Sequence, residues 1–447
     1  MNRSNDLTEG PIVRRLLVFF LPIAAGTLFQ QLYNAVDAFV VGKFVGTGAL
    51  AAVGGSPAIL INLIIGFCVA LSGGASVVIS HHFGAQDYGE IRSAVKTSYL
   101  MSLVLGIIVG VLVILFSPTF LIWLKTPEDT YADALLYQRI YFAGSIFVLV
   151  FNMGSGILRA VGNSRFPFVC LIVSCCINIG LDILFVIGFH MGVAGVAWAT
   201  VIAQAASSLL VTVKLCRTKE CYGLRFFGCK ASFETLRKML AIGVPSGLQS
   251  SMYGISNMIL QVGVNTLGTV VVASWAMSGK IDGAYWAISG AFGTAITTFV
   301  AQNYGAGRID RVKECAKKGI WLFFFASIII SGIILCFANQ LLHLFTDDAA
   351  VVSTTWSIFI YFVPYYLTWS FVESFTGILR GVGDTLYPSI ILALGVCLFR
   401  VVWVFTVFLA YHNLTMLCIC YPISWVITDI AIFIYYRKKS VIARAPA

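Results

Sequence analysis

Several charged side chains lie inside long apolar runs of this 447-residue chain: the acids Asp37, Asp182, Asp282, Glu373 and Asp429, and the bases Arg139, Lys280 and Arg400. A charge near the centre of a bilayer costs about 2.5–3.5 kcal/mol on insertion scales, so each needs a reason to be there. In SCCINIGLDILF (174–185), Asn178 and Asp182 are four residues apart and share one helix face. Asp37 belongs to the first apolar run and Thr200 to the sixth. The four side chains offer two carboxylates, an amide carbonyl and a hydroxyl, and a hard cation is bound by several such oxygens. Two neighbouring carboxylates can instead hold a proton, because burial and mutual repulsion favour the protonated form. The structural alternative is that Asn178 and Thr200 pair helices while an Asp caps a turn.

The second half of the chain offers a different set. Lys280 and Asp282 sit in SGKIDGAYW, about ten residues into the eighth run, which is roughly 15 Å of helix. Spaced by two, they do not face each other, and each needs a partner on another helix. Glu373 can face a cavity and attract a cationic compound, or form a salt bridge with Arg400 or Lys280. Aromatic residues make up 14% of the chain, and Tyr33, Tyr253, Tyr285, Trp286, Tyr365 and Trp369 recur near the same levels. Such rings suit flat cations, although any single one can equally pack against lipid or helix. Gln30 and Tyr33 in the first run, with Tyr253 and Asn257 in the seventh, complete the cavity candidates.

The elements that position these residues follow from composition. The chain is 59% hydrophobic and 11% charged, about half the charge of a soluble globule. Apolar runs long enough to cross a roughly 30 Å hydrocarbon core recur throughout. They are too long for barrel strands, so the spans are helices. Twelve are expected, near 15–42, 49–80, 93–117, 131–152, 164–188, 192–213, 236–264, 270–301, 315–338, 351–373, 387–410 and 414–436. The start, MNRSNDLTEGPIVRR, is polar and leads directly into a span, with no cleavable signal expected. Prolines 22, 57, 245 and 364 fall within spans, where they kink or weaken a helix.

Lys and Arg concentrate in alternate loops: Arg92 and Lys96, Arg159 and Arg165, Lys214 to Lys238, Arg308 to Lys318, Arg380 and the tail Arg437-Lys438-Lys439. The other loops hold only Lys43 and Lys125. The positive-inside rule then puts both termini in the cytoplasm. The net charge of +10 reflects this topology, with attraction to membrane lipid as a by-product, and is no sign of nucleic-acid binding.

GILRAVGNSRFP (156–167) returns as GILRGVGDTLYP (377–388), 221 residues later, with eight of twelve positions identical or nearly so. LPIAAGTLFQQLYNAVDAF (21–39) lines up with VPSGLQSSMYGISNMILQV (244–262), and ASVVISHHFGAQDYGEIR (75–92) with AITTFVAQNYGAGRIDRV (295–312). Three matches in one order mean two parallel six-helix halves, 1–213 and 236–447, joined by a linker at 214–235. Parallel repeats in transporters move against each other around a site near the membrane midplane. Each GILR phrase is expected to be the tight link between spans four and five of its half.

The Pro22…QQLYNAVD opening, FGAQ, TFVAQNYGAG and the twin GILR-x-VG phrases resemble the multidrug and toxic compound extrusion (MATE) transporters over residues 8 to 440. The resemblance implies an all-α polytopic inner-membrane antiporter of twelve helices in two bundles, acting as a monomer. It would expel small organic xenobiotics, often cationic and aromatic, in exchange for sodium ions or protons, and would need no cofactor. Some members bind the coupling cation with an Asp in span one, an Asn and an Asp one turn apart in span five, and a Thr in span six. Those positions here are Asp37, Asn178, Asp182 and Thr200. Other members carry a Glu in span seven and an Asp in span ten. This chain has no acid in GLQSSMYGISNMIL, and Trp369 stands at the span-ten position with Glu373 one turn later. The cavity would draw on Gln30, Tyr33, Tyr253, Asn257, Lys280, Asp282, Trp369 and Glu373.

The alternative is a flippase of lipid-linked precursors on a related fold, which would need a strongly basic cavity; here Lys280, Arg139 and Arg400 are balanced by more acids. No enzyme is expected, since the chain carries no HExxH and no serine with an adjacent base. A channel fits the twofold repeat less well. The twelve cysteines lie mostly in spans, and Cys216, Cys221 and Cys229 lack the paired spacing of a zinc site. His81 and His82 have no third ligand in sight, so no metal beyond sodium is expected.

Overall fold

The protein is described here by a computed structural model covering residues 6–225, 230–343 and 345–444, without the side chains of Val441 and Ala443. Among the described residues it is all helix. Twelve long helices carry the fold: α1 Ile12–Val45, α2 Thr47–Gly84, α3 Tyr88–Trp123, α4 Glu128–Ala143 with Ser145–Ala160, α5 Arg165–Gly188 and α6 Gly192–Arg217. The second six are α7 Phe233–Asn265, α8 Thr269–Gly305, α9 Ile309–Cys336, α10 Ala349–Gly381, α11 Leu386–Tyr411 and α12 Leu414–Lys439. All but α7 are long and apolar enough to cross a membrane, α4 as a pair bent by 47° at Gly144. Helix α7 has 33 residues and is the polar one, with Glu234, Arg237, Lys238, Gln249 and Asn257 along it.

The sequence places these helices within a few residues, except that α4 and α10 run on to Ala160 and Gly381. The GILR residues are therefore the last helical turn, not the link. The link is a Schellman cap, made twice. Gly162 N donates to Arg159 O and Asn163 N to Leu158 O, at 2.8 and 2.9 Å. In the second half Gly383 N donates to Arg380 O and Asp384 N to Leu379 O, both at 3.0 Å. The cap needs a left-handed residue, and Gly162 (φ 83°) and Gly383 (φ 86°) supply it. The FGAQ and YGAG segments end α2 and α8 in the same way, with Gln86 (φ 57°) and Gly307 (φ 70°) at the left-handed position. Pro57 does not kink a span; it occupies the first turn of Ser56–Gly84, where its missing N–H costs nothing. Pro22 and Pro245 lie inside α1 and α7, and Pro364 in a short 3₁₀ turn of α10.

The chain folds as two compact units. The first holds Leu21–Gly247, so α2 to α6 with most of α1 and the start of α7. The second holds Leu7–Phe20 and Leu248–Ala447. The divisions fall beside Pro22 in α1 and two residues after Pro245 in α7. In the second unit the segment before α1 is clasped by the end of α8 and the start of α9. Gln302 Oε1 accepts from Leu7 N, Asn303 Nδ2 donates to Leu7 O, and Arg308 and Arg311 donate to Thr8 O and Gly10 O. Gln302 and Asn303 are the QN of TFVAQNYGAG, and both are fully buried.

Candidate cation and substrate sites

In the first unit α1 and α5 bring two acids together. The carboxyls of Asp37 and Asp182 stand close enough for each to act on the other's charge. Asp182 is fully buried, Asn178 one turn earlier is 1% exposed, and Asp37 is half-buried. Among the described residues no N–H or O–H donor reaches either oxygen of Asp182, Oδ1 of Asp37 or Oδ1 of Asn178. Asn178 Nδ2 finds no acceptor. Buried polar atoms are almost always partnered, so this group of atoms is incomplete with protein alone. Two ionised carboxylates at such range can only repel, and a proton or cation between them removes the repulsion. Asp182 directly precedes a π turn at Ile183–Gly188, and Asp37 lies just before another at Val41–Val45. Such widened turns recur at functional sites.

Thr200 on α6 is buried, and its hydroxyl donates to Val196 O at 3.0 Å. Tyr33 of α1 stands within electrostatic reach of it. Tyr137 and Tyr141 on α4, stacked with centroids 6.2 Å apart, stand within electrostatic reach of Tyr33. The sequence reading missed this pair; their i, i+4 spacing in the fourth span is the signal that could have found them. Next to the acids is a pocket lined by Gln30, Tyr33, Phe151, Leu171, Ser174, Cys175, Asn178, Ala203 and Gln204. Gln204 and Ser174 also went unread.

The second unit is built differently. Asp282 is buried and accepts a hydrogen bond from the Tyr366 hydroxyl of α10. Tyr285 stacks on Tyr366 at 3.9 Å and donates to the Tyr366 carbonyl at 2.9 Å. Trp369 donates its indole N–H to Ser289 Oγ at 3.0 Å and packs against Trp286, Tyr253 and Trp425. Glu373 is half-buried, with its carboxylate against Gly293 of α8. Among the described residues it forms no ion pair with Arg400 or Lys280; Arg380, two turns along α10, is within electrostatic reach.

Lys280 is exposed, with its ammonium 5.7 Å from the Phe345 ring centre, so it does not partner Asp282. Arg139, Gln30 and Asn257 are exposed as well. The cation cluster has no copy in this unit, because the repeat puts Leu260 at the position of Asp37. Among the described residues no group of three His, Cys, Asp or Glu side chains could hold a metal. The described cysteines are free thiols, and Cys229 lies outside the described residues. In the loop after α6, burial and the Glu220 charge push the Cys221 thiol up, so a reactive thiolate is disfavoured.

Matched helical repeats with buried, unpartnered acids among their spans are the build of a membrane transporter. The model of the MatE family matches the chain twice, over residues 22–184 and 245–406. The chain belongs to this family, whose members are multidrug-efflux transporters and not enzymes. It is 27% identical over 445 residues to the probable multidrug resistance protein YoeA of Bacillus subtilis (strain 168), covering 96% of this chain and 95% of that one. It is 23% identical over 376 residues to the multidrug export protein MepA of Staphylococcus aureus (strain NCTC 8325 / PS 47), covering 84% and 83%. An outward-facing structure of a multidrug resistance MATE family transporter superposes with a TM-score of 0.91 at 22% identity, covering all of both chains.

Proposed function

We propose that the protein exports small organic compounds, cationic aromatic ones among them, in exchange for sodium ions or protons. The reading rests on the Asp37–Asp182 pair beside the unpartnered Asn178 amide. Asp37, Asn178, Asp182 and Thr200 hold the coupling ion. The names of the Bacillus and Staphylococcus relatives, multidrug resistance and multidrug export, support drug-like substrates. The basic loops support a plasma-membrane protein with both termini in the cytoplasm, working as a monomer.

The ion can act on transport through α1. That helix carries Asp37, and near its start Pro22 leaves one turn without a backbone hydrogen bond. Drawing Asp37 towards Asp182 with a cation, or releasing it, changes which shape of α1 is favoured. An ion shifts such an equilibrium only by its difference in affinity for the two shapes, and a carboxyl pair that meets in one shape alone supplies that difference. The flippase alternative is not favoured, since the relatives carry the names of multidrug resistance and multidrug export proteins.

Ethidium efflux from vesicles, with sodium and pH gradients imposed separately, tests the proposal. Efflux driven by one of them and lost in Asp182→Asn is expected. Gradient-independent efflux, or full activity in that variant, would refute coupling through this cluster.

A further inference from the structure

Arg400 of α11 is 3% exposed, inside the second unit. Its Nε donates to Ser424 Oγ at 3.1 Å, and its guanidinium sits over Tyr421, 3.9 Å from the ring centre. Among the described residues no carboxylate pairs with it. None of the acids on neighbouring helices pairs with it: Asp282 accepts from Tyr366, Glu373 sits against Gly293 within electrostatic reach of Tyr253, and Asp429, one turn after Trp425, has an unpartnered Oδ1. Two further buried donors near Arg400 have no partner, the Tyr253 hydroxyl and the Trp425 indole N–H. Trp425 lies 5.8 Å from the guanidinium, and Tyr253 lies within its electrostatic reach.

The repeat gives these three residues a common meaning. Along α11 the offset between halves starts at 221, Leu386 against Arg165. It ends at 222, where His412 matches His190, both left-handed. The π turn at Ala393–Leu398, which α5 lacks at the matching level, inserts the extra residue. At that register Arg400 stands at the place of Asn178 and Trp425 at that of Ala203. Tyr253 stands at the place of Gln30, at the offset of 223 that pairs Pro245 with Pro22. Gln30, Asn178 and Ala203 all line the pocket of the first unit. The second unit therefore has three hydrogen-bond donors, one of them a guanidinium, where the first has two amides and an alanine beside its acids.

We propose that Arg400, Tyr253 and Trp425 form an anion subsite that takes the carboxylate of a flat aromatic compound. A guanidinium matches a carboxylate with two parallel N–H donors, and the packed rings of Tyr253, Trp369 and Trp425 make its surroundings aromatic. The inference names a substrate class for the proposed exporter and rests on that reading. Binding at equilibrium needs no gradient, so a failure here is distinguishable from a failure of ion coupling.

The test is quenching of tryptophan fluorescence in the purified full-length protein, titrated with 1-naphthoate and with 1-naphthamide, which has nearly the same shape without the charge. The wild type should bind the acid at least tenfold more tightly than the amide. Arg400→Gln should abolish that preference, and Tyr253→Phe should reduce it severalfold while leaving amide binding unchanged. Equal affinities in the wild type would overturn the proposal, as would a preference that survives in Arg400→Gln. Should that variant fail to fold, an undiminished preference in Tyr253→Phe would be equally decisive against the subsite.

Discussion

The carboxylate of Glu373 occupies the space that a side chain at Gly293 would fill: a β-carbon built there collides with Glu373 Oε1. Glycine at 293 is thus what lets α10 present an acid against α8. Glu373→Gln should lower export of cationic compounds more than of neutral ones, because an amide keeps the shape but loses attraction for positive charge. Gly293→Ala, which forces the carboxylate away, should give the same selective loss. Efflux assays with a cationic and a neutral dye decide this, and equal loss of both would assign Glu373 a structural role.

The helix caps predict a pair of opposite stability effects. Gln86 and Gly307 hold the same left-handed position at the ends of α2 and α8, a conformation that costs an L-residue roughly 1–2 kcal/mol. Gln86→Gly should stabilise the protein by about 1 kcal/mol, and Gly307→Ala should destabilise it by a similar amount. Nothing lies within 4 Å of a β-carbon at Gly307, so the second effect reports backbone strain alone. Unfolding in detergent measures both. No change in either would mean that the two caps relax freely.

These caps also show what the sequence could and could not tell. The repeat and the helices were legible, because periodicity and hydropathy leave strong local signals, and intramembrane acids marked Asp37 and Asp182 as candidates. The twin GILR phrases were visible as repeats, but not that Ile, Leu and Arg are helical and only the following glycine turns the chain. That distinction lies in backbone angles. The partners of Asp282 and Arg400 were not legible either. Tyr366 and Tyr421 look like any other membrane aromatics until α8, α10, α11 and α12 are packed. A partner to Lys280 was expected on another helix, yet the side chain is exposed over Phe345, since a long stem can carry its ammonium away from an apolar core.

Topology is open to labelling. In a cysteine-free background, cysteines at Thr47 and Tyr411, both exposed, should react with an impermeant maleimide from outside the cell, and one at exposed Lys219 should not. Labelling at Lys219 from outside would invert the assignment that the basic loops support.

The last prediction separates the two candidate coupling ions. Asp37→Asn and Asp182→Asn should each reduce coupled export to background while the protein still folds, since an amide fills the same volume but cannot neutralise a cation. Asn178→Ala and Thr200→Val then discriminate. Sodium uses neutral oxygens as ligands, so losing either should weaken its apparent affinity tenfold or more, about 1.4 kcal/mol. A proton needs a carboxylate alone, so proton-driven export should survive both changes. Thr200→Val carries an internal control, because its hydroxyl is also satisfied by Val196 O within α6. Replacing it by an apolar group of similar shape leaves that turn of helix intact, so lost sodium dependence would come from the ligand and not from unfolding. Export indifferent to all four substitutions would remove the cluster from the transport cycle.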